Sequence, residues 1–286
     1  MYGPDDQQIL FFRVGAEGSA LAVILDHKWI QQEFLAVDIT FPGNYGTVTL
    51  VSQNLAIATT GIPRGCFRVP NPTSFMGRDI LSTDLVLENG GILRICNVHL
   101  ESLSGHGTKA RPLQLALVSK LLKQEGISAG IVGGDMNAIE PPDFVLHRQE
   151  DIQLKDVWVE FVGEEVAIEK DNEFVGRKGR VGENDGSSTN WGDAACHTWG
   201  YNSEKTIFYP RRMDKVLFCN APEANLSLVP VKGGAMERLG IQKKVKVEFE
   251  KPSKEAGEEV DEDEYCDFLH LSDHFGLLTR FVVVKN

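Results

Sequence analysis

Residues 130–143, GIVGGDMNAIEPPD, decide the predicted fold, because a short apolar run ends there in two glycines followed by polar residues. The run is too short for a helix and is typical of the end of a buried strand, and the two prolines predict a turn after it. Asp135 and Asn137 are therefore expected at the carboxyl end of a strand, where open α/β sheets bind their ligands. The alternative is a plain turn, because Asp and Asn side chains accept hydrogen bonds from their own backbone in turns.

The segments before and after this stretch predict an α/β fold. The run ILRICNVHL from Ile92 is strand-like, and residues 108–126 carry leucines at helical spacing, with Pro112 in a first turn and Gly126 as the C-terminal cap. Strand, helix and strand in succession are the βαβ pattern. The further strand-like runs TVTLVS, KVLFC and LLTRFVVV have no helix between some of them, so we expect a mixed sheet.

Composition is that of a soluble globular protein. The 286 residues are 42% hydrophobic and 24% charged, and they favour one domain spanning 1–286. No run reaches 18 apolar residues and the first residues lack a basic segment, so neither a membrane span nor a signal peptide is expected. Five cysteines without paired spacing suit a reducing compartment. We therefore expect a monomer in the cytoplasm or nucleus, without membrane contact.

Charge is concentrated in one block. The formal net charge is −12, but residues 254–267 hold eight acids and one Lys, a net of −7 that leaves −5 for the rest. This balance argues against a generally basic nucleic-acid-binding surface. Residues 163–190 and 251–268 are predicted to be loop insertions. Within the first, Arg177, Lys178 and Arg180 either contact a phosphate backbone or are merely solvated.

Three further polar pairs lie at the edges of apolar runs: His99 with Glu101, Arg212 with Asp214, and Asp273 with His274. Taken singly they are typical of a core histidine, a surface ion pair and a turn. Together they complement one another, because carboxylates hold a hard cation, a histidine stabilises phosphoryl oxygens and an Asp accepts a proton from water. Together these side chains could hydrolyse a phosphate ester. A zinc site at His270 and His274 is less favoured, because no Cys completes the pattern.

Four motifs in order, NVHLES, GGDMNA, RRMDKVLF and LSDHFGLL, resemble the endonuclease/exonuclease/phosphatase superfamily. Their spacing is most similar to the type 2 tyrosyl-DNA phosphodiesterase branch and its fungal relatives, with HTWGY and YGTVTLVS as supporting segments. The resemblance extends over roughly residues 20–285. It implies a four-layered α/β sandwich with two mixed β-sheets face to face and helices outside. It also implies Mg²⁺-dependent hydrolysis of phosphate esters by in-line attack of water, with Mn²⁺ as an alternative metal.

The resemblance implies roles for the catalytic residues of this chain. Asp135 would be the general base that activates water, and Asn137 would orient the phosphate. His274 would stabilise the phosphoryl oxygens. Asp273 would orient His274 or contact the water shell of the metal, which makes it the one metal-site residue that the motifs supply. His99 would contact the phosphate.

The same resemblance implies a substrate-binding surface next to these groups. Ser102 would lie near the phosphate contact of His99, and Trp199 would line the substrate groove. Asp214 would support His99 or the edge of the sheet.

Two expected pieces of the family pattern are missing. FFRV stands where the family has LQEV, which puts Arg13 in the place of the metal-binding Glu, and a guanidinium has no lone pair to ligate a metal. Glu17 is the nearest acid, but a four-residue shift would disturb the strand. The opening strand with its catalytic Asn is also not found, which would leave sheet edges unpaired. We therefore expect reduced metal affinity and rate, and hypothesise an N-terminally truncated gene product or a degenerate paralogue.

Three functions follow as hypotheses. The first is a metal-dependent phosphodiesterase acting on 5′-tyrosyl-DNA or other nucleic-acid phosphodiesters. The second is an inactive family remnant that binds nucleic acid or a protein partner. The third is a family phosphatase acting on a phosphoester that is not a nucleic acid, such as an inositol phosphate or sphingomyelin.

Overall fold

The computed structural model describes residues 9–14, 18–37, 46–58, 64–87, 90–173, 175, 198–199, 211–224, 226–231, 237–239, 242–246, 266–270, 274 and 276–285. Its centre is a six-stranded mixed sheet in the order β4-β5-β6-β7-β9-β8. The strands are β4 (Gly65–Pro70), β5 (Asp79–Val86), β6 (Ile92–His99), β7 (Ala129–Asp135), β8 (Lys155–Asp156) and β9 (Asp214–Asn220). Strands β6 and β7 are parallel and helix α4 (His106–Leu122) joins them, so the predicted βαβ unit and mixed sheet are confirmed.

A second, antiparallel sheet packs against the first. It contains β1 (Ile9–Val14), β2 (Phe34–Val37) and β3 (Gly46–Ser52) in the order β1-β3-β2. Val51 of this sheet lies in one apolar cluster with Leu81 and Ile131 of the central sheet. The double glycine has a packing reason, because a Cβ on Gly133 would lie 2.9 Å from the ring of Phe11. Strand β7 thus has no side chain at the point where the ring of Phe11 from the second sheet packs against it.

Helices cover the outer faces of both sheets, which completes four layers. Helix α4 packs Leu115 and Val118 against the outer face of the central sheet. On the other side, α1 (Gly18–Asp26) and α2 (Lys28–Glu33) cover the three-stranded sheet, with Ile30 packed against Val48 and Leu50. The predicted α/β sandwich is therefore confirmed. Among the described residues β1 pairs with β3 alone.

The smaller elements complete the fold. The helical ones are α3 (Gln53–Ala58), α5 (Pro141–Phe144), a 3₁₀ turn (Leu146–Arg148), α6 (Val157–Val162) and α7 (Glu164–Asn172). Three strand pairs follow: β10 (Leu226–Pro230) with β15 (Phe281–Lys285), β11 (Glu237–Leu239) with β14 (Gly276–Leu278), and β12 (Gln242–Lys246) with β13 (Cys266–His270). None of the helices in the described part of the chain is long and apolar enough to cross a membrane.

The predicted loops differ from the structure where they can be compared. The insertion 163–190 does not begin as a loop, because residues 164–172 form α7, which the Asp171 carboxylate ties to the buried guanidinium of Arg212. The end of the insertion 251–268 lies in β13. The remainder of both segments, including Arg177, Lys178 and Arg180, lies outside the described residues.

Candidate active site

Asp135 ends strand β7 and uses its two carboxylate oxygens differently. Oδ1 accepts a hydrogen bond from the backbone N–H of Asn137 at 2.8 Å, so the plain turn is present. Asn137 takes the left-handed conformation, with φ of 47°, that Asn tolerates, and its side-chain amide donates to the carbonyl of Leu100 at 2.9 Å. Oδ2 lies 3.3 Å from His99 Nε2 and 3.8 Å from His274 Nε2. The turn and the candidate catalytic position therefore share one side chain.

Sheet register explains why these polar groups meet. His99, at the end of β6, pairs directly with Asp135 across the parallel ladder. On the other side of β7, Asp214 at the start of β9 is the antiparallel partner of Asp135. His99 is 5% exposed and Asp135 5% exposed, so the three strand ends place the groups in one row with little water between them.

His274 joins this row through Asp214. Its Nδ1 lies 2.7 Å from Asp214 Oδ2, which directs Nε2 toward Asp135. The resemblance implies that Asp214 supports His99 or the sheet edge, and its side chain contacts His274 in the structure. Asp273 lies outside the described residues. Trp199 is half-buried and its backbone bridges both Arg211 and His274, so it holds this segment beside the row.

Arg78 is a site residue that the sequence did not reveal. One guanidinium nitrogen, Nη1, lies 3.1 Å from His99 Nδ1, and Nη2 donates to Ser102 Oγ at 3.1 Å. Because a guanidinium can only donate, Nδ1 must accept, and the proton of neutral His99 then lies on Nε2 and faces Asp135. The only signal in the sequence was a basic residue in MGRD just before a strand, which also fits an ordinary surface position. Arg78 therefore puts a fixed positive charge next to His99 and Ser102.

Glu101 of the HLES motif positions Arg78 and is 1% exposed. Its carboxylate accepts hydrogen bonds from Ser74 Oγ at 2.6 Å and from the backbone N–H groups of Phe75 and Met76 at 3.2 Å. Burial alone would raise the pKa of Glu101, but the hydrogen bonds from Ser74, Gln114 and this backbone lower it below its usual range. The carboxylate of Glu101 therefore holds the loop 71–78 in place, and Arg78 lies at the end of this loop.

One group of metal-binding side chains occurs in the described part of the chain. Asp135, Asp214 and His274 each offer a ligand atom, and these atoms lie within 4.8 Å of one another. The set fits a divalent cation, although its imidazole suits Mn²⁺ better than Mg²⁺, which prefers oxygen ligands alone.

The two residues considered for the missing metal-binding Glu are Arg13 and Glu17. The backbone of Arg13 lies opposite Thr47 in the β1–β3 ladder, and Glu17 lies outside the described residues.

The four layers, with a row of polar groups at the strand ends, define a four-layered α/β sandwich. The structure of D. rerio TDP2 complexed with single-strand DNA product aligns with a TM-score of 0.61 at 19% identity, over 96% of this chain and 85% of that one. Truncated Caenorhabditis elegans TDP2 gives 0.51 at 14% identity, over 94% and 82%. A beta toxin from Staphylococcus aureus gives 0.53 at 14% identity, over 97% and 86%. The chain therefore shares the fold of these TDP2 structures.

Comparisons by sequence add nothing to this assignment. No family model matches the chain. No curated protein matches it either.

Proposed function

We propose that this protein is a metal-dependent phosphodiesterase that acts on nucleic-acid phosphate esters, with a 5′-tyrosyl-DNA bond as the first candidate substrate. The observation that carries the proposal is the position of Asp135 Oδ2, 3.3 Å from His99 Nε2 and 3.8 Å from His274 Nε2. Support also comes from the likeness of the fold to a TDP2 structure that contains a single-strand DNA product. The four ordered sequence motifs agree with it.

In this proposal Asp135 is the general base. Its Oδ2 accepts a proton from water as the water oxygen forms a bond to phosphorus, and the bond from phosphorus to the leaving oxygen breaks on the opposite side. A tyrosyl leaving group departs readily, because a phenol has a pKa of about 10. The hydrogen bond from Asn137 to Oδ1 holds the carboxylate in place during the transfer.

Two hydrogen-donating groups lie beside the expected phosphate position. The Nε2–H of His99 borders both this position and Asp135, while Arg78 supplies a permanent positive charge and fixes the tautomer of His99. Asp214 accepts the Nδ1–H of His274, so the Nε2 lone pair of the neutral imidazole can bind a cation. Donors positioned before the reaction stabilise the transition state without further reorganisation.

A divalent cation would be held by Asp214 and His274, next to the carboxylate of Asp135. When bound, such a cation offsets the negative charge of the phosphate. We propose Mg²⁺, with Mn²⁺ as the alternative that the imidazole ligand favours.

The test is hydrolysis of a 5′-phosphotyrosyl oligonucleotide by the full 286-residue chain, with Mg²⁺ and with Mn²⁺. We expect release of tyrosine that falls about 10²- to 10⁴-fold in Asp135→Asn, because the base is removed while the shape is kept. Asp151→Asn is the matched control, since Asp151 lies exposed in a turn away from the site.

Other outcomes would contradict the proposal. A folded chain that releases no tyrosine with either metal, yet binds the oligonucleotide in EDTA, would be the inactive remnant. Stronger inhibition by a soluble inositol phosphate than by a tyrosine-free oligonucleotide would favour the phosphatase hypothesis. Equal rates for the parent and Asp135→Asn would remove Asp135 from the mechanism.

A further inference from the structure

A group of apolar side chains is exposed on the loops that carry Arg78 and Ser102. Phe75 is 82% exposed, Leu103 65% and Met76 42%. The ring of His106 meets the ring of Phe75 edge to face, with 4.0 Å between the centroids. We call Phe75, Met76, Leu103 and His106 the apolar lip. Exposed apolar surface beside a polar site is a feature of ligand-binding positions.

Buried charges hold the lip rigidly from below. Phe75 and Met76 donate their backbone N–H groups to the buried carboxylate of Glu101, both at 3.2 Å. On the second loop, the carbonyl of Leu103 accepts a hydrogen bond at 2.8 Å from Arg111, which is fully buried. Folding does not bury these apolar side chains, although the backbone that carries them is fixed.

The strained backbone of Leu103 also indicates that the lip has a function. Leu103 has a φ of 68°, a left-handed conformation that non-glycine residues rarely adopt. The bond from Arg111 maintains this conformation and keeps the Leu103 side chain outside the core. Strain of this kind persists where the surrounding structure enforces it and is typical of functional sites.

The position of the lip relative to Asp135 indicates which part of a substrate it meets. Contacts run in one row, from Asp135 Oδ2 to His99 Nε2 at 3.3 Å, from His99 Nδ1 to Arg78 Nη1 at 3.1 Å, and from Arg78 Nη2 to Met76 Sδ at 3.4 Å. Water activated by Asp135 attacks from one end of this row. An in-line displacement puts the leaving group opposite the attacking water, and the lip lies at the opposite end of this row from Asp135.

We propose that the apolar lip binds the aromatic ring of the leaving group, with Phe75 as the main contact and Met76 and His106 beside it. This inference rests on the proposed phosphodiesterase function. An aromatic ring suits the lip because Phe75 offers an open face and the Met76 sulfur packs favourably against ring edges. The formal net charge of −12 also favours short-range apolar contacts over long-range attraction of a polyanion.

The test uses the full chain and two diesters of thymidine 5′-phosphate, one with a phenyl group and one with a fluorinated alkyl group whose alcohol has matched acidity. The readout is the aryl-to-alkyl ratio of kcat/KM. We expect Phe75→Ala to lower this ratio about 2- to 13-fold, the range for an aromatic pair, and Phe75→Tyr to keep it. Leu113→Ala is the matched control, because Leu113 is 57% exposed on α4 and lies outside the lip.

Each remaining outcome decides between the hypotheses. An aryl-to-alkyl ratio that stays the same in a folded Phe75→Ala variant would overturn the inference and leave the proposed function standing. If Phe75→Ala instead lowers the preference for thymidine over an abasic phenyl diester, the lip binds the base and the inference is wrong. Hydrolysis of neither diester by the parent chain would overturn the proposed function together with this inference.

Discussion

At the scale of single residues, the guanidinium of Arg78 contacts two other site residues at once. Its planar fork donates to His99 and Ser102 from separate nitrogens, and it is 9% exposed. A lysine carries the same charge but has one nitrogen and no fork, so it cannot keep both contacts in this geometry. The consequence is that charge alone does not replace Arg78.

Arg78→Lys is therefore expected to lower kcat/KM for a 5′-phosphotyrosyl oligonucleotide by about 10²-fold, the usual loss when one positioned donor is removed. Steady-state kinetics measures the loss, and circular dichroism checks the fold. Arg148→Lys is the matched control, since Arg148 pairs with Glu164 on the surface. Unchanged kinetics in Arg78→Lys would show that the fork has no role.

Sequence motifs predicted the residues on strand ends better than the contacts between them. Asp135 could be placed because an apolar run stops there, which is a local signal. The bond between Asp214 and His274 joins residues 60 positions apart and is set by sheet register, which local patterns do not contain. The signal for Arg78, a basic residue before a strand, was not specific, because its partners lie 21 and 24 positions further along the chain.

At the scale of elements, a buried ion cluster fixes α6 and α7 against β9. Arg212 donates to Asp156 at 2.6 Å and to Asp171 at 2.8 Å, and its guanidinium lies 4.7 Å from the ring centre of Trp158. Burial alone would lower the pKa of Arg212, but the two carboxylates raise it above its ordinary value. Arg212 precedes Asp214 by two residues, so the cluster also fixes the strand that orients His274.

Asp171→Ala is expected to reduce the free energy of unfolding by about 3–5 kcal/mol, because it leaves part of a buried charge without its partner. Urea denaturation followed by circular dichroism measures the change. Glu169→Ala, at an exposed position of the same helix, is the control and should change stability by less than about 0.5 kcal/mol. A loss below about 1 kcal/mol for Asp171→Ala would mean that water reaches Arg212.

The 3₁₀ turn contains a histidine that makes the fold sensitive to acid. Burial, with the Lys215 ammonium nearby, lowers the pKa of His147 to about 4, against 6.5 for an unperturbed imidazole. The unfolded chain therefore binds this proton before the folded one does, and stability falls as pH drops from 6.5 to 4. The expected contribution is up to about 3 kcal/mol.

His147→Gln should remove that part of the acid sensitivity. The measurement is the free energy of unfolding at pH 7 and pH 4.5 for the parent and the variant, with the difference between the two proteins isolating His147 from the carboxylates. The parent is expected to lose more stability than the variant between these values. An equal loss in both proteins would contradict a neutral, buried His147.

Helix positions were predictable where local spacing determines them, and packing faces were not. Helix α4 lies where it was expected, but it starts at His106, so Pro112 is inside the helix rather than in its first turn. Leu113 of the predicted stripe is 57% exposed, while the polar Arg111 is fully buried against Asp143. Several leucine stripes coexist on this helix, and only the partner elements decide which one is buried.

At the scale of the whole molecule, the apolar core and the polar candidate site lie in different parts of the four-layered fold. The apolar clusters lie between the sheets and under α4, whereas the polar groups lie at the strand ends and the loops beyond them. The whole chain carries a formal net charge of −12, and −7 of it falls in residues 254–267. A polyanion is therefore repelled at long range and must be held by the few groups at the site itself.

The salt dependence of oligonucleotide binding tests whether the strand is held only by groups at the site. Binding of a 5′-phosphorylated single strand to the Asp135→Asn chain should show a slope of the logarithm of the association constant against the logarithm of salt concentration of about −0.7 to −1.4. Each single-strand phosphate contact contributes about −0.7, and we expect one or two contacts at Arg78. Fluorescence anisotropy over a series of salt concentrations gives the slope. Replacing the glutamates of residues 254–264 by Gln should strengthen binding at low salt, because long-range repulsion of the strand falls. The slope should stay the same, because the number of contacted phosphates does not change. A slope steeper than about −3 would mean that the strand runs across a basic surface beyond Arg78, and the inference from net charge would then be wrong.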